Sequence, residues 1–149
     1  MSTRLRDKYE AILLVLDKLK KASTEGALVI VEGARDSATL RELGIEGQIM
    51  TMKTGGRSTV ETAFEIQQSG ASEVILLLDF DRRGRESTRK LKFYLERQQV
   101  TVNLSFWVAL SNLIRKDVQC VEGLASLLET LQRKIMHQHQ KTQSQLPRD

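Results

Sequence analysis

Asp79 and Asp81 close the run Val74-Ile-Leu-Leu-Leu78, separated by Phe80 and followed by Arg82-Arg83-Gly84-Arg85-Glu86. Alternate residues of an extended chain point the same way, so the two carboxylates can aim at one point about 6 to 7 Å apart along the backbone. Two like charges so close call for a cation, a proton or strong donors, and a hard divalent ion suits a pair of carboxylates. The same pattern also fits a strand entering a turn in which one Asp caps the next helix.

Glu32 stands at a similar place, at the end of Ala27-Leu-Val-Ile-Val31, with Gly33 and Asp36 after it. If the two apolar runs are neighbouring strands, Glu32, Asp79 and Asp81 converge at one edge. About three negative charges there would be costly without compensation, and Mg²⁺ or Mn²⁺ supplies it while keeping positions for phosphate oxygens. Gly33 and Gly84 sit beside the acids, where a missing side chain admits a substrate backbone or unusual dihedrals. Arg82, Arg83 and Arg85 offer guanidinium forks to phosphates. Lys53 and Arg57 flank a glycine-containing loop, and Ser58 with Glu61 forms a capping-box pattern behind it. Such a helix start can hold a phosphate, and it equally suits an ordinary strand-to-helix turn.

The elements that must position these groups alternate at short intervals. Residues 3 to 21 place Leu5, Tyr9, Ile12, Leu13, Leu16 and Leu19 at helical spacing. Strand-like runs follow at 27–31, 48–52, 73–78 and 100–109, the last containing Phe106 and Trp107, with helices expected at about 36–43, 59–69 and 85–98 between them. Gly44 and Gly70 stop the first two of these helices. Strands alternating with helices imply parallel pairing with right-handed crossovers, and such folds gather chemistry at the carboxyl ends of their strands. A last helix is expected over 121–136, where Leu124, Leu127, Leu128, Leu131 and Ile135 form a stripe. Residues 137–149 are polar and glutamine-rich, and predict a frayed or disordered tail.

Composition bounds the class. The 149 residues, 40% apolar and 28% charged, suit one globular domain, and no apolar run approaches the roughly 20 residues of a membrane span. A mixed charged N-terminal pattern predicts a cytoplasmic protein. Cys120 is the only cysteine, so the sequence supplies neither an internal disulfide nor a second thiol for zinc. The net charge of +4 lies in the flanks: residues 23–130 carry thirteen basic and fifteen acidic groups. Charge alone therefore favours a polyanionic partner only weakly.

Val31-Glu32-Gly33 with Asp36, followed by Leu-Leu-Asp79-Phe-Asp81-Arg-Arg-Gly84-Arg-Glu86, resembles the two signature motifs of the Toprim domain. That family is shared by topoisomerases, bacterial primases, OLD-type nucleases, recombination-repair proteins and a ribosomal-RNA maturation nuclease. The resemblance spans about residues 25–115. It implies an α/β, Rossmann-like fold with a central, mainly parallel four-stranded sheet flanked by helices. Residues 1–24 would add a packing helix and 116–136 a C-terminal helix of the same domain. The resemblance further implies that Glu32 acts as general acid or base and that Asp79 and Asp81 coordinate Mg²⁺, with Glu32 near the ion. Asp36 and Glu86 match acidic positions close to the motifs. Length is similar to the small stand-alone members of the nuclease branches.

Several activities are disfavoured. Tyr9 and Tyr94 sit in amphipathic helices as packing residues, so no topoisomerase nucleophile stands out, and a primase would need zinc ligands and a polymerase domain. A phosphoacceptor receiver would want an acidic pair at the first strand and a late lysine. An Asp-x-Asp phosphatase would carry its pair on the first strand. The expectation is a metal-dependent nuclease acting on RNA or DNA, in RNA processing or DNA repair. The alternative is a non-catalytic adaptor that binds metal and nucleic acid and works with a partner protein.

Overall fold

The structure, a computed structural model, describes residues 3–52 and 58–144. Its centre is a sheet of four parallel strands, β1 (Leu28–Val31), β2 (Ile49–Thr51), β3 (Val74–Leu77) and β4 (Val102–Asn103), in the order β2-β1-β3-β4. β1 and β3 are direct neighbours, with Val31 opposite Leu77. Both are buried along their whole length, and for that reason they read as unbroken apolar runs rather than alternating ones.

Side-chain alternation divides the core between the two faces. Val29, Val31, Ile75 and Leu77 pack with α1 (Arg4–Thr24), α2 (Ala34–Glu42), α5 (Ser105–Ile114) and α6 (Leu124–Ser144). Leu28, Ile30, Leu76 and Leu78 pack with α3 (Thr59–Gln68) and α4 (Arg82–Arg97). Tyr9 and Tyr94 lie against these two clusters, as packing residues should. Gly44 and Gly70 end α2 and α3 at φ of 95° and 72°, where their N–H groups take the carbonyls of Arg41 and Gln67.

Two expectations are corrected. The strand expected over 100–109 is only Val102–Asn103, and Phe106 and Trp107 belong to α5. Asn103 turns the chain: its side-chain oxygen accepts the Ser105 N–H at 2.8 Å. Beyond it Phe106, Leu110 and Ile114 recur at helical spacing, a signal that bulky, β-favouring side chains hide over so short a window. The helix expected to end at 136 instead runs as α6 to Ser144, so residues 137–144 of the expected tail are helical. Gln, Lys and His tolerate helix well, and no Gly or Pro interrupts before Pro147. Among the described residues no helix is long and apolar enough to cross a membrane.

Candidate metal centre

The chain leaves β1 and β3 through two short turns, and what lies across them builds the site. Beyond β3, the side chain of Asp81 accepts the Gly84 N–H at 2.8 Å and caps α4. Gly84 is demanded by packing, because a Cβ there would overlap the carbonyl oxygen of Asp79. The first turn of α4 thus rests on the backbone of Asp79. Beyond β1, Gly33 caps α2 in an extended conformation, and its N–H donates to Asp36 Oδ2 at 3.0 Å.

A third segment closes the edge. Gln119 offers its carbonyl oxygen to the Phe80 N–H at 2.7 Å, and Glu122 donates its N–H to Asp36 Oδ1 at 2.8 Å. These two bonds pin residues 119–122, which lead into the 3-10 turn Val121–Gly123, across the carboxyl ends of β1 and β3. Trp107 reinforces the same edge by donating from Nε1 to the Leu78 carbonyl at 2.9 Å and stacking obliquely on Phe80 at 6.2 Å.

Cys120 therefore lies between the two anchors. One ligand atom each from Asp36, Asp79 and Cys120 lie within 4.8 Å of one another. Asp36 is 6% exposed, the others partly buried. A carboxylate oxygen that accepts one hydrogen bond keeps a second lone pair, so Asp36 can serve both as backbone clamp and as ligand. Burial pushes the Cys120 thiol above its usual range, and the charges of Asp36, Asp79 and Glu122 push the same way against the Gly123 backbone N–H. A divalent cation among these groups would reverse that balance.

Glu32 and Asp81 stand outside this trio. Glu32 follows β1 directly, in the bend before α2. Its Oε2 is buried and has no hydrogen-bond partner among the described residues. An oxygen hidden from water in this way costs about 1 to 3 kcal/mol, which a cation, a proton or a ligand donor would relieve. Donor set and orphaned oxygen together fit a divalent ion at this edge.

The remaining expected residues are spread along α4. Arg82 pairs with Glu86 at 3.4 Å on an exposed surface, and Arg85 Nη1 donates to the Phe80 carbonyl at 3.4 Å. Arg83 lines a surface cavity between α3 and α4. Lys53 and Arg57 lie outside the described residues. Cys120 is the residue that sequence reasoning set aside, for want of a second thiol; only a trace of signal, its place before Val121-Glu-Gly, was there to find it.

A Toprim domain model matches residues 27–107, from the start of β1 into α5. The chain belongs to the Toprim family. Among curated relatives it is 38% identical over 121 residues to a UPF0292 protein of Thermococcus kodakarensis, covering 81% of this chain and 86% of that one. It is 32% identical over 132 residues to a UPF0292 protein of Methanosarcina barkeri, covering 87% and 88%. A solved structure described as a putative protein from Aquifex aeolicus aligns at a TM-score of 0.62 and 26% identity, over 74% of this chain and 94% of that one. Toprim membership points to a metal-dependent, nucleic-acid-related activity, and the cluster of Asp36, Asp79 and Cys120 could hold a metal ion.

Proposed function

We propose that this Toprim protein performs Mg²⁺- or Mn²⁺-dependent phosphodiester chemistry on RNA or DNA, as a small nuclease akin to the stand-alone nuclease branches of the superfamily. The observation that carries the reading is the pairing of Asp79 with Asp36 and Cys120 at the carboxyl end of β3, beside an orphaned Glu32 oxygen at the end of β1. Asp79 and Asp36 would hold the ion, with Asp81 on the rim completing the set through the oxygen that its cap does not use. When bound, the ion polarises a phosphate and stabilises the charge that develops on it.

The chain's own groups do the rest. Glu32 takes a proton from water or returns one to the leaving oxygen, a role that suits a carboxylate with no competing donor. Asp36 holds the 119–122 segment in place through Glu122, and so fixes the position of Cys120. Arg83 steers a phosphate backbone towards the edge, while Arg85, tied to the Phe80 carbonyl, stiffens the turn that carries Asp81.

One observation favours the adaptor as a second reading. Asp81, expected as a ligand, does not belong to the close group of Asp36, Asp79 and Cys120, which leaves only two carboxylates in it. In that case metal holds nucleic acid in place and a partner protein supplies cleavage.

Both readings are tested by calorimetric titration with Mn²⁺ and Mg²⁺ and by cleavage of labelled single- and double-stranded RNA and DNA. Metal-dependent cleavage that disappears in Asp79→Asn and Glu32→Gln, with metal binding weakened only in the former, supports the nuclease. Metal binding without cleavage by the native protein would sink the nuclease reading and leave the adaptor.

A further inference from the structure

α4 is far more basic than capping or solubility requires. Over Arg82–Arg97 it carries seven cations, Arg82, Arg83, Arg85, Arg89, Lys90, Lys92 and Arg97, against Glu86 and Glu96. Both acids are answered within the helix, by Arg82 at 3.4 Å and Lys92 at 3.0 Å. Arg83, Arg89 and Lys90 line a cavity of about 550 Å³ with Glu86, Thr59 at the start of α3, Phe93 and Tyr94. It begins two residues beyond Asp81. From Arg83 to Phe93 it follows α4 for roughly 15 Å.

Its aromatic end is unusual. Phe93 is 54% exposed, although the buried stripe of α4, Leu91 and Leu95, already satisfies the core. Its ring meets Tyr94 edge to face at 5.4 Å and lies under the Arg97 guanidinium at 5.3 Å. A guanidinium thus already sits over this ring, so its face can be reached from outside the core. Cations along a groove that ends on an exposed ring match a chain of phosphates bearing unstacked bases. A duplex hides its base faces, and an acidic peptide has nothing flat to offer Phe93.

We propose that the α3–α4 cleft is a binding subsite for single-stranded nucleic acid, with Arg83, Arg89 and Lys90 on the backbone and Phe93 with Tyr94 stacking a base. The proposal deepens the function given above and rests on that reading for the choice of polymer. It places the strand on the α3–α4 side of the sheet. Arg97 would leave the ring for a phosphate as the base enters.

The test is fluorescence anisotropy with labelled oligo-uridine, oligo-thymidine, a blunt duplex and poly-glutamate, in EDTA so that the metal centre plays no part. Single strands should bind more tightly than duplex. Phe93→Leu, which keeps apolar bulk and helix propensity, should weaken them about ten-fold while leaving duplex binding alone. Arg83→Gln with Lys90→Gln should lower the slope of log affinity against log salt by about 1.4. Lys134→Gln, on α6 at the other face of the sheet, should bind as the native protein does, which separates the cleft from basic surface elsewhere. Unchanged oligonucleotide affinity in Phe93→Leu, or tighter binding of poly-glutamate than of either oligonucleotide, would overturn the proposal, even if metal-dependent cleavage were found. Cleft-dependent binding with no cleavage would sustain it while the nuclease reading fell. Matching thermal melts of variants and native protein guard against loss of fold.

Discussion

The turns that leave β1 and β3 use the same two residue types at the same spacing in opposite order. Gly33-x-x-Asp36 puts glycine at the cap and the acid three residues inside α2, whereas Asp81-x-x-Gly84 puts the acid at the cap and glycine inside α4. In each, a carboxylate accepts the N–H of the glycine, at 3.0 Å and 2.8 Å. Reversing the order changes what the acid can reach. Asp81 stays on the rim with a local task. Asp36 is carried into the body, where its second oxygen takes the Glu122 N–H and fixes a segment 86 residues away in sequence. The glycines differ likewise: Gly84 is pressed against the Asp79 carbonyl, while the nearest atom to a Cβ at Gly33 would be Asp36 Oδ2 at 4.0 Å. Equal chemistry becomes a helix cap in one place and a long-range clamp in the other.

The sharpest way to break this comparison is to add one methyl group to each glycine. Gly84→Ala must push α4 off the Asp79 backbone and should cost about 3 kcal/mol or more, read from urea unfolding. Gly33→Ala, with extended backbone and open space, should stay within about 0.5 kcal/mol. Equal effects would show that the two turns are not differently packed.

Removing the acids should give the next largest difference. Asp36→Ala leaves two backbone N–H groups without their acceptor and should lose about 2 to 4 kcal/mol. It should also raise amide exchange at Glu122. Asp81→Ala forfeits one helix cap, about 1 kcal/mol. A loss from Asp81→Ala as great as from Asp36→Ala would contradict the clamp.

The smallest effect concerns the thiol that the clamp positions. Cys120 titrates above its usual range in the folded protein, first through burial and then through Asp36, Asp79 and Glu122. A group whose folded value is raised stabilises the fold below its unfolded value, near 8.5, and loses that contribution as pH rises through the folded value. The stability of the native protein should therefore fall above about pH 8.5 by more than that of Cys120→Ala. Iodoacetamide should react with Cys120 more slowly than with an unstructured cysteine peptide near neutral pH, and Asp79→Asn should quicken it about two-fold. A rate equal to that of the peptide would count against the buried, anionic setting.

The fold was legible because its strongest signals are local. Val74–Leu77 and Leu28–Val31 are buried on both faces, so burial wrote them as continuous apolar runs, and glycines at 44 and 70 marked the helix ends. Residues 100–109 misled because Val, Phe and Trp favour strands individually, while one hydrogen bond from Asn103 redirects the chain. The C-terminal polar segment misled in another way. Its residues bury little, yet nothing in 137–144 opposes helix once α6 has been started by its leucines.

An α/β chain of Toprim type, with acids at the ends of its first and third strands, is written in local signals, because strand burial, helix periodicity and motif spacing all lie within a few residues of one another. Which side chains meet depends on long-range packing. Asp36, Asp79 and Cys120 come from three separate segments, joined by a backbone bond from Phe80 to Gln119 and by the bond from the Glu122 N–H to the Asp36 carboxylate. Those bonds depend on which carbonyl and which N–H each turn leaves unsatisfied. No local pattern records that, since the partners are settled only once strands, turns and the 3-10 segment have packed together.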